Sequence, residues 1–158
     1  RLCEDSLKSS FGANWWRFLE FEITRSRMMT EVTGNISSAL ILQVVAYHNL
    51  TLVQSAVESD AYIEIRSAWE LDNSSAGHDM PQKLSFAAIS DMTRIDKETV
   101  RRSVKKLAEQ GWVTVDKKNG ISYSPSMANQ DKLLMLNDWE VTHLGRLLKR
   151  LSDASNPG

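Results

Sequence analysis

"LSFAAISDMTRIDKETVRRSVKKLAEQGWVTVDKKNGISYS", residues 84–124, is the stretch that decides the fold. Ser85 can accept the free N–H groups of a short helix over 86–92, with Ile89 and Met92 turned inward. "TRID" interrupts that helix, and Asp96 caps a second one running from Lys97 to about Gln110. Gly111 closes it. "WVTV" and "ISYS" then flank "DKKNG", where Asn119-Gly120 predicts a two-residue hairpin turn. Val113 and Val115 alternate with Thr114 and Asp116 as a half-buried strand requires. The order is helix, tight turn, helix, β-ribbon.

The helix over 97–110 has two chemically distinct sides. At about 100° per residue, Val104 and Leu107 fall beside Val100, with Ser103 and Ala108 at the edges, and these form the inner face. Arg101, Arg102, Lys105 and Lys106 fall on the flanks and back. Residues 83–118 hold nine Lys and Arg against five Asp and Glu, a net +4 within a chain whose total is −1. The remainder is therefore −5. A basic segment in an acidic chain is what local binding to phosphate requires. Exposed helix faces are routinely charged, so the cationic face acquires meaning only because caps, terminator and ribbon all agree with it.

These residues resemble the winged helix-turn-helix of bacterial transcriptional regulators of the MarR and GntR type, and the related module of plasmid and phage replication proteins. The similarity is carried by Ile89, by Ile95 in the turn, by "ETVRRSVKKL" and by "EQGWV", over roughly a quarter of the chain. It implies sequence-specific binding to double-stranded DNA. In such a motif the start of the second helix meets base edges, which puts Lys97, Glu98, Thr99, Arg101 and Arg102 nearest the bases. Lys105 and Lys106 then meet phosphates, and Lys117 and Lys118 at the ribbon tip reach a neighbouring groove. Ser85 and Arg94 complete the expected DNA-binding set. The alternatives are a replication-initiator or partition protein, and a winged module that contacts another protein.

Outward from this stretch, Asn14 is a candidate cap for a helix over 14–30, with Trp15, Phe18, Leu19, Ile23 and Met29 on one face. Gly34 and Asn35 break it. Ile41, Val44, Val45, His48 and Leu52 mark the buried stripe of a helix from about Ser37 to Glu58. Residues 59–83 read as a polar insertion, a departure from the layout of MarR-type regulators. Beyond Pro125, a helix is expected to begin at Asn137, with Glu140 closing a capping box and Val141, Leu144, Leu147, Leu148 and Leu151 as its stripe. The expected fold is mainly α with a small β wing: a winged helix-turn-helix over 36–125, bracketed by helical segments at 1–35 and 126–158. The apolar stripes at the two chain ends lack partners within the winged unit, so a homodimer through the terminal helices is expected, as in MarR-type regulators.

Other functional classes find less support. There is no Gly-rich phosphate loop, G-x-S-x-G or H-E-x-x-H, so the chain does not read as an enzyme. The single Cys3 and the absence of zinc-type spacing predict neither disulfide nor metal nor any other cofactor, and fit a reducing, cytoplasmic setting. No run of 18 apolar residues predicts a membrane span. Arg1 in place of an initiator Met suggests a trimmed start. A small-molecule effector pocket, if present, is expected at Trp15, Trp16 or Tyr47. His48 reads as a core histidine, and His143 as lying on a polar flank.

Overall fold

A computed structural model describes Lys8 and residues 10–56 and 83–153. The expected polar insertion, Cys3 and His78 lie almost wholly or entirely outside these residues. The described chain is mainly helical, with one small antiparallel sheet. Its elements are α1 (Phe11–Thr33), α2 (Ile36–Ala56), α3 (Phe86–Thr93), α4 (Lys97–Glu109), β1 (Val113–Asp116), β2 (Gly120–Tyr123) and α5 (Met127–Asp153). They fall into two compact units, one of residues 33–129 and one of residues 1–32 with 130–158.

The first unit is a helical core closed by the ribbon. Asn35 caps α2 by accepting the N–H of Ser38 at 2.8 Å. Ile41, Leu42 and Val45 on α2 are fully buried, and α2 packs against α3, α4 and β2. Ser85 accepts the N–H of Ala88 at 3.1 Å and Asp96 that of Thr99 at 2.9 Å, so both helix starts lie where their capping residues put them. Ile89, Val100, Val104 and Leu107 meet in the core with Trp112 and Ile121. Met92, expected inside, is exposed, because α3 is only eight residues long and Ile89 alone occupies its buried line.

The ribbon differs in register from the two-residue turn. Asp116 pairs with Gly120, which leaves three residues, Lys117–Asn119, in the loop. The Asp116 carboxylate accepts the N–H groups of Lys118 and Asn119 at 2.6 and 3.2 Å, and this side-chain turn selects the longer loop. Gly120 has φ +78°, and a β-carbon there would lie 2.6 Å from the Leu84 carbonyl oxygen. The close approach exists because Ile121 N–H donates to that carbonyl at 3.0 Å. Val115 is exposed, so β1 buries only Val113.

Gly111, at φ +74°, ends α4, and the carbonyls of Gln110 and Gly111 accept from the Nδ2 of buried Asn129 at 2.8 and 3.0 Å. Asn129 belongs to the first turn of α5, which runs unbroken to Asp153. Asn137 is therefore ten residues inside a helix rather than at its start. Glu140 closes no capping box; its carboxylate accepts from Arg25 Nε at 2.6 Å.

That ion pair belongs to the second unit, in which α1 and α5 pack on each other. Phe21 stacks on Trp139 at 5.4 Å. Arg17 lies in a cleft with Arg146 and Arg150, whereas Arg25 meets Glu140, so rising numbers along α1 meet falling numbers along α5 and the pair is antiparallel. Asn14 is not a cap, because α1 begins earlier: its own N–H donates to Ser10 in the helical ladder and its side chain is buried. The face used for packing is that of Asn14, Phe21 and Arg25, not the predicted stripe. Trp15, Phe18, Leu19 and Ile23 are exposed, as are Val141, Leu144 and Leu148, while Met29 and Leu147 are buried. Aromatic stacking and a paired charge thus hold these helices together, and much of their most apolar surface stays uncovered.

Candidate nucleic-acid interface

The site is assembled from α3, the connection at 94–96, α4 and the ribbon. Ser90 Oγ donates to the Ile95 carbonyl at 2.6 Å, and Thr93 Oγ1 donates to Ile89 and accepts from Ile95 N–H. These bonds pin the connection. Arg94 ends α3 in the left-handed conformation, φ +60°, with its N–H on the Ser90 carbonyl at 2.8 Å. Glycine occupies such positions without strain, whereas an arginine there holds a guanidinium at the corner of the two helices.

Along α4, Val100, Val104 and Leu107 are wholly buried and the cations lie opposite. The side chains of Arg101, Arg102 and Lys105 are 61%, 70% and 76% exposed. Glu98 organises the first two. Arg101 grips it with two bonds, 3.0 Å from Nε and 2.8 Å from the terminal nitrogen, and Arg102 Nε stands 3.7 Å away. The grip of Arg101 holds the Glu98 carboxyl below its usual range and raises Arg101 in turn. Lys105 pairs loosely with Glu109 at 4.0 Å. With five cations against two carboxylates, α4 keeps a net charge of +3.

Lys106 is placed differently. Its ammonium lies 3.3 Å from where a β-carbon on Gly34 would stand, close to the carboxyl end of α1. Thr99 is tied to Asp96, which leaves Lys97 as the remaining exposed cation of the first turn. Asp96 is held below its usual carboxyl range chiefly by the Thr99 side chain, then by the Thr99 N–H.

The ribbon supplies a second cationic group. Lys117 and Lys118 sit in the loop, and Lys83 Nζ donates to the Lys117 carbonyl at 3.4 Å. Lys83 was absent from the expected set. Its signal is tertiary: the Leu84–Ile121 backbone bond spans 37 positions, and no local pattern announces it.

Elsewhere, Trp15, Trp16 and Tyr47 are all exposed, and none lines a cleft of about 310 Å³ in the second unit. That cleft includes His143, which is not on a merely polar flank: its ring stacks on Trp139 at 4.3 Å and its Nδ1 is 2.8 Å from the Trp139 carbonyl. Among the described residues no group of three or more His, Cys, Asp or Glu could hold a metal ion, and no helix is long and apolar enough to cross a membrane. Comparison of the chain with protein-family models, with curated proteins and with solved structures finds no match in any of the three.

Proposed function

We propose that this chain binds double-stranded DNA sequence-specifically, as a dimeric bacterial transcriptional regulator of the cytoplasm. In this reading α3, the connection and α4 are a helix-turn-helix, α4 enters the major groove, and β1–β2 is the wing. The observation that carries it is the two-sided build of α4: an inner line of valine and leucine without exposure, and an outer line of arginine and lysine left open beside a lysine-tipped hairpin. A helix of this width fits the major groove, about 12 Å across, and arginine there can bond guanine through two donors. Glu98 holds Arg101 and Arg102 ready, and phosphate or base acceptors compete for them on contact.

Dimerisation follows from the exposed apolar faces of the second unit. On α1, Phe11, Trp15 and Phe18 form a stacked ladder with ring centroids 5.8 and 5.3 Å apart. This ladder lies about 100° round from Phe21, and Val141, Leu144 and Leu148 lie about 100° round from the packed face of α5. In an antiparallel pair these offsets fall on the same side, giving one apolar surface that a second copy can cover by two-fold symmetry. Two copies would read half-sites about 34 Å apart.

Selection of bound genomic fragments by the purified protein, followed by anisotropy titration on the selected site, tests the reading. The affinity should fall steeply with salt, as counterion release demands. Replacing both Arg101 and Arg102 by Ala should abolish discrimination between the selected and random duplexes while leaving thermal unfolding unchanged, since both side chains face solvent. Salt-independent binding, or unchanged affinity in the double variant, would point instead to a protein-binding module.

A further inference from the structure

On the side of the α1–α5 pair opposite the apolar surface lies the 310 Å³ cleft, and its walls are chemically specific. One wall is aromatic: Phe21, Trp139 and His143 form a near-parallel stack, with interplanar angles of 12° and 18°. The other is cationic. Arg17 from α1 and Arg146 and Arg150 from α5 converge on it. Arg146 and Arg150 are four residues apart on one helix, a like-charge spacing that disfavours the helix by itself. Arg25, one turn along the same seam, finds Glu140 at 2.6 Å; none of the three cleft arginines has an ion pair or hydrogen bond among the described residues. Glu20 is the single carboxylate in the lining, and it leaves the cleft two charges positive.

We propose that this cleft binds a mononucleotide. Three features select that class. The residual charge of about +2 matches a phosphate monoester, which carries about −1.5 to −2 at neutral pH, better than a monocarboxylate. Arginine forks are suited to phosphate oxygens. A ring stack offers a flat surface of the kind on which nucleobases lie, and Glu20 supplies an acceptor for sugar hydroxyls while Thr24 lines the same side. The volume is at the lower end of the range for small-molecule sites, about 300–1,000 Å³, and admits one nucleotide rather than two. The site uses neither α4 nor the apolar surface, so it stands apart from the DNA-binding reading and can be filled while a second copy covers the opposite side.

Calorimetric titration of the full chain with AMP, adenosine and inorganic phosphate at low ionic strength tests this. AMP should bind one per chain, and adenosine and phosphate each at least about tenfold more weakly, because each lacks one half of the recognition. The double variant Arg146→Gln, Arg150→Gln, whose side chains are exposed, should weaken AMP by at least about tenfold without lowering the unfolding temperature. The double variant Leu144→Ala, Leu148→Ala on the opposite side should leave AMP binding as it was. Adenosine or phosphate binding as tightly as AMP, arginine variants without effect, or no heat from AMP at millimolar concentration would each overturn the assignment.

Discussion

At the scale of single residues, the carboxylates beside α4 work as fittings for the cations and the helix start. Asp96 is the clearest. Its carboxyl is held low because the ionised form accepts from the Thr99 hydroxyl and N–H. A group whose folded pKa is depressed stabilises the fold fully above its unfolded pKa, and the contribution is lost as pH falls through the folded value. In the variant Asp96→Asn the cap remains as a neutral acceptor but no longer titrates. Chemical denaturation at a series of pH values should therefore show the parent losing its advantage over the variant below about pH 4, and a constant difference down to pH 2 would contradict the assigned cap. Glu98 titrates in the same direction, so Asp96→Asn removes only part of the acid sensitivity.

At the scale of elements, the ribbon is set by contacts its own residues do not reveal. Asn119-Gly120 correctly signals a hairpin, yet Asp116 captures two loop N–H groups and Leu84 captures Ile121, and together they set a three-residue loop. Gly120 is needed twice over, for its positive φ and for the 2.6 Å approach to Leu84. Gly120→Ala should cost at least about 2 kcal/mol in equilibrium unfolding, from left-handed strain plus a clash with backbone that has little freedom to yield. A loss under half of that would mean the ribbon relaxes away from Leu84. Glycine at 111 has a milder setting, since the nearest atoms to an added carbon are the side chain of Ser126.

At the scale of the whole molecule, the dimer reading turns on the aromatic ladder of α1 and the leucines of α5. Trp15, Phe18, Val141 and Leu148 are all exposed on the second unit, and large apolar side chains left in solvent mark an association site when they lie together. Replacing Val141 and Leu148 by Glu should turn a dimer into a monomer in sedimentation equilibrium at micromolar concentration. The helical circular dichroism of the chain should persist, because neither residue is packed in the second unit. If the parent already sediments as a monomer, the two-fold arrangement on DNA falls with it.

The local order around α3 and α4 was legible because it is written in short-range chemistry. Ser85, Asp96 and Gly111 satisfy or end backbone ladders within four residues of themselves, and the burial of Val100, Val104 and Leu107 follows from helical period alone. The terminal helices resisted such reading. Periodicity shows that α1 and α5 have apolar stripes, but which face meets the partner helix depends on that partner, and stacking of Phe21 on Trp139 with the Arg25–Glu140 pair won over the more apolar side. Similarly, Lys83 reaches the ribbon and Lys106 turns toward Gly34 only because distant segments fold together. Sequence by itself thus determined where backbone hydrogen bonds start and stop in the basic segment. Tertiary packing alone decided which faces, charges and rings meet, since those energies depend on neighbours that are close in space and far apart along the chain.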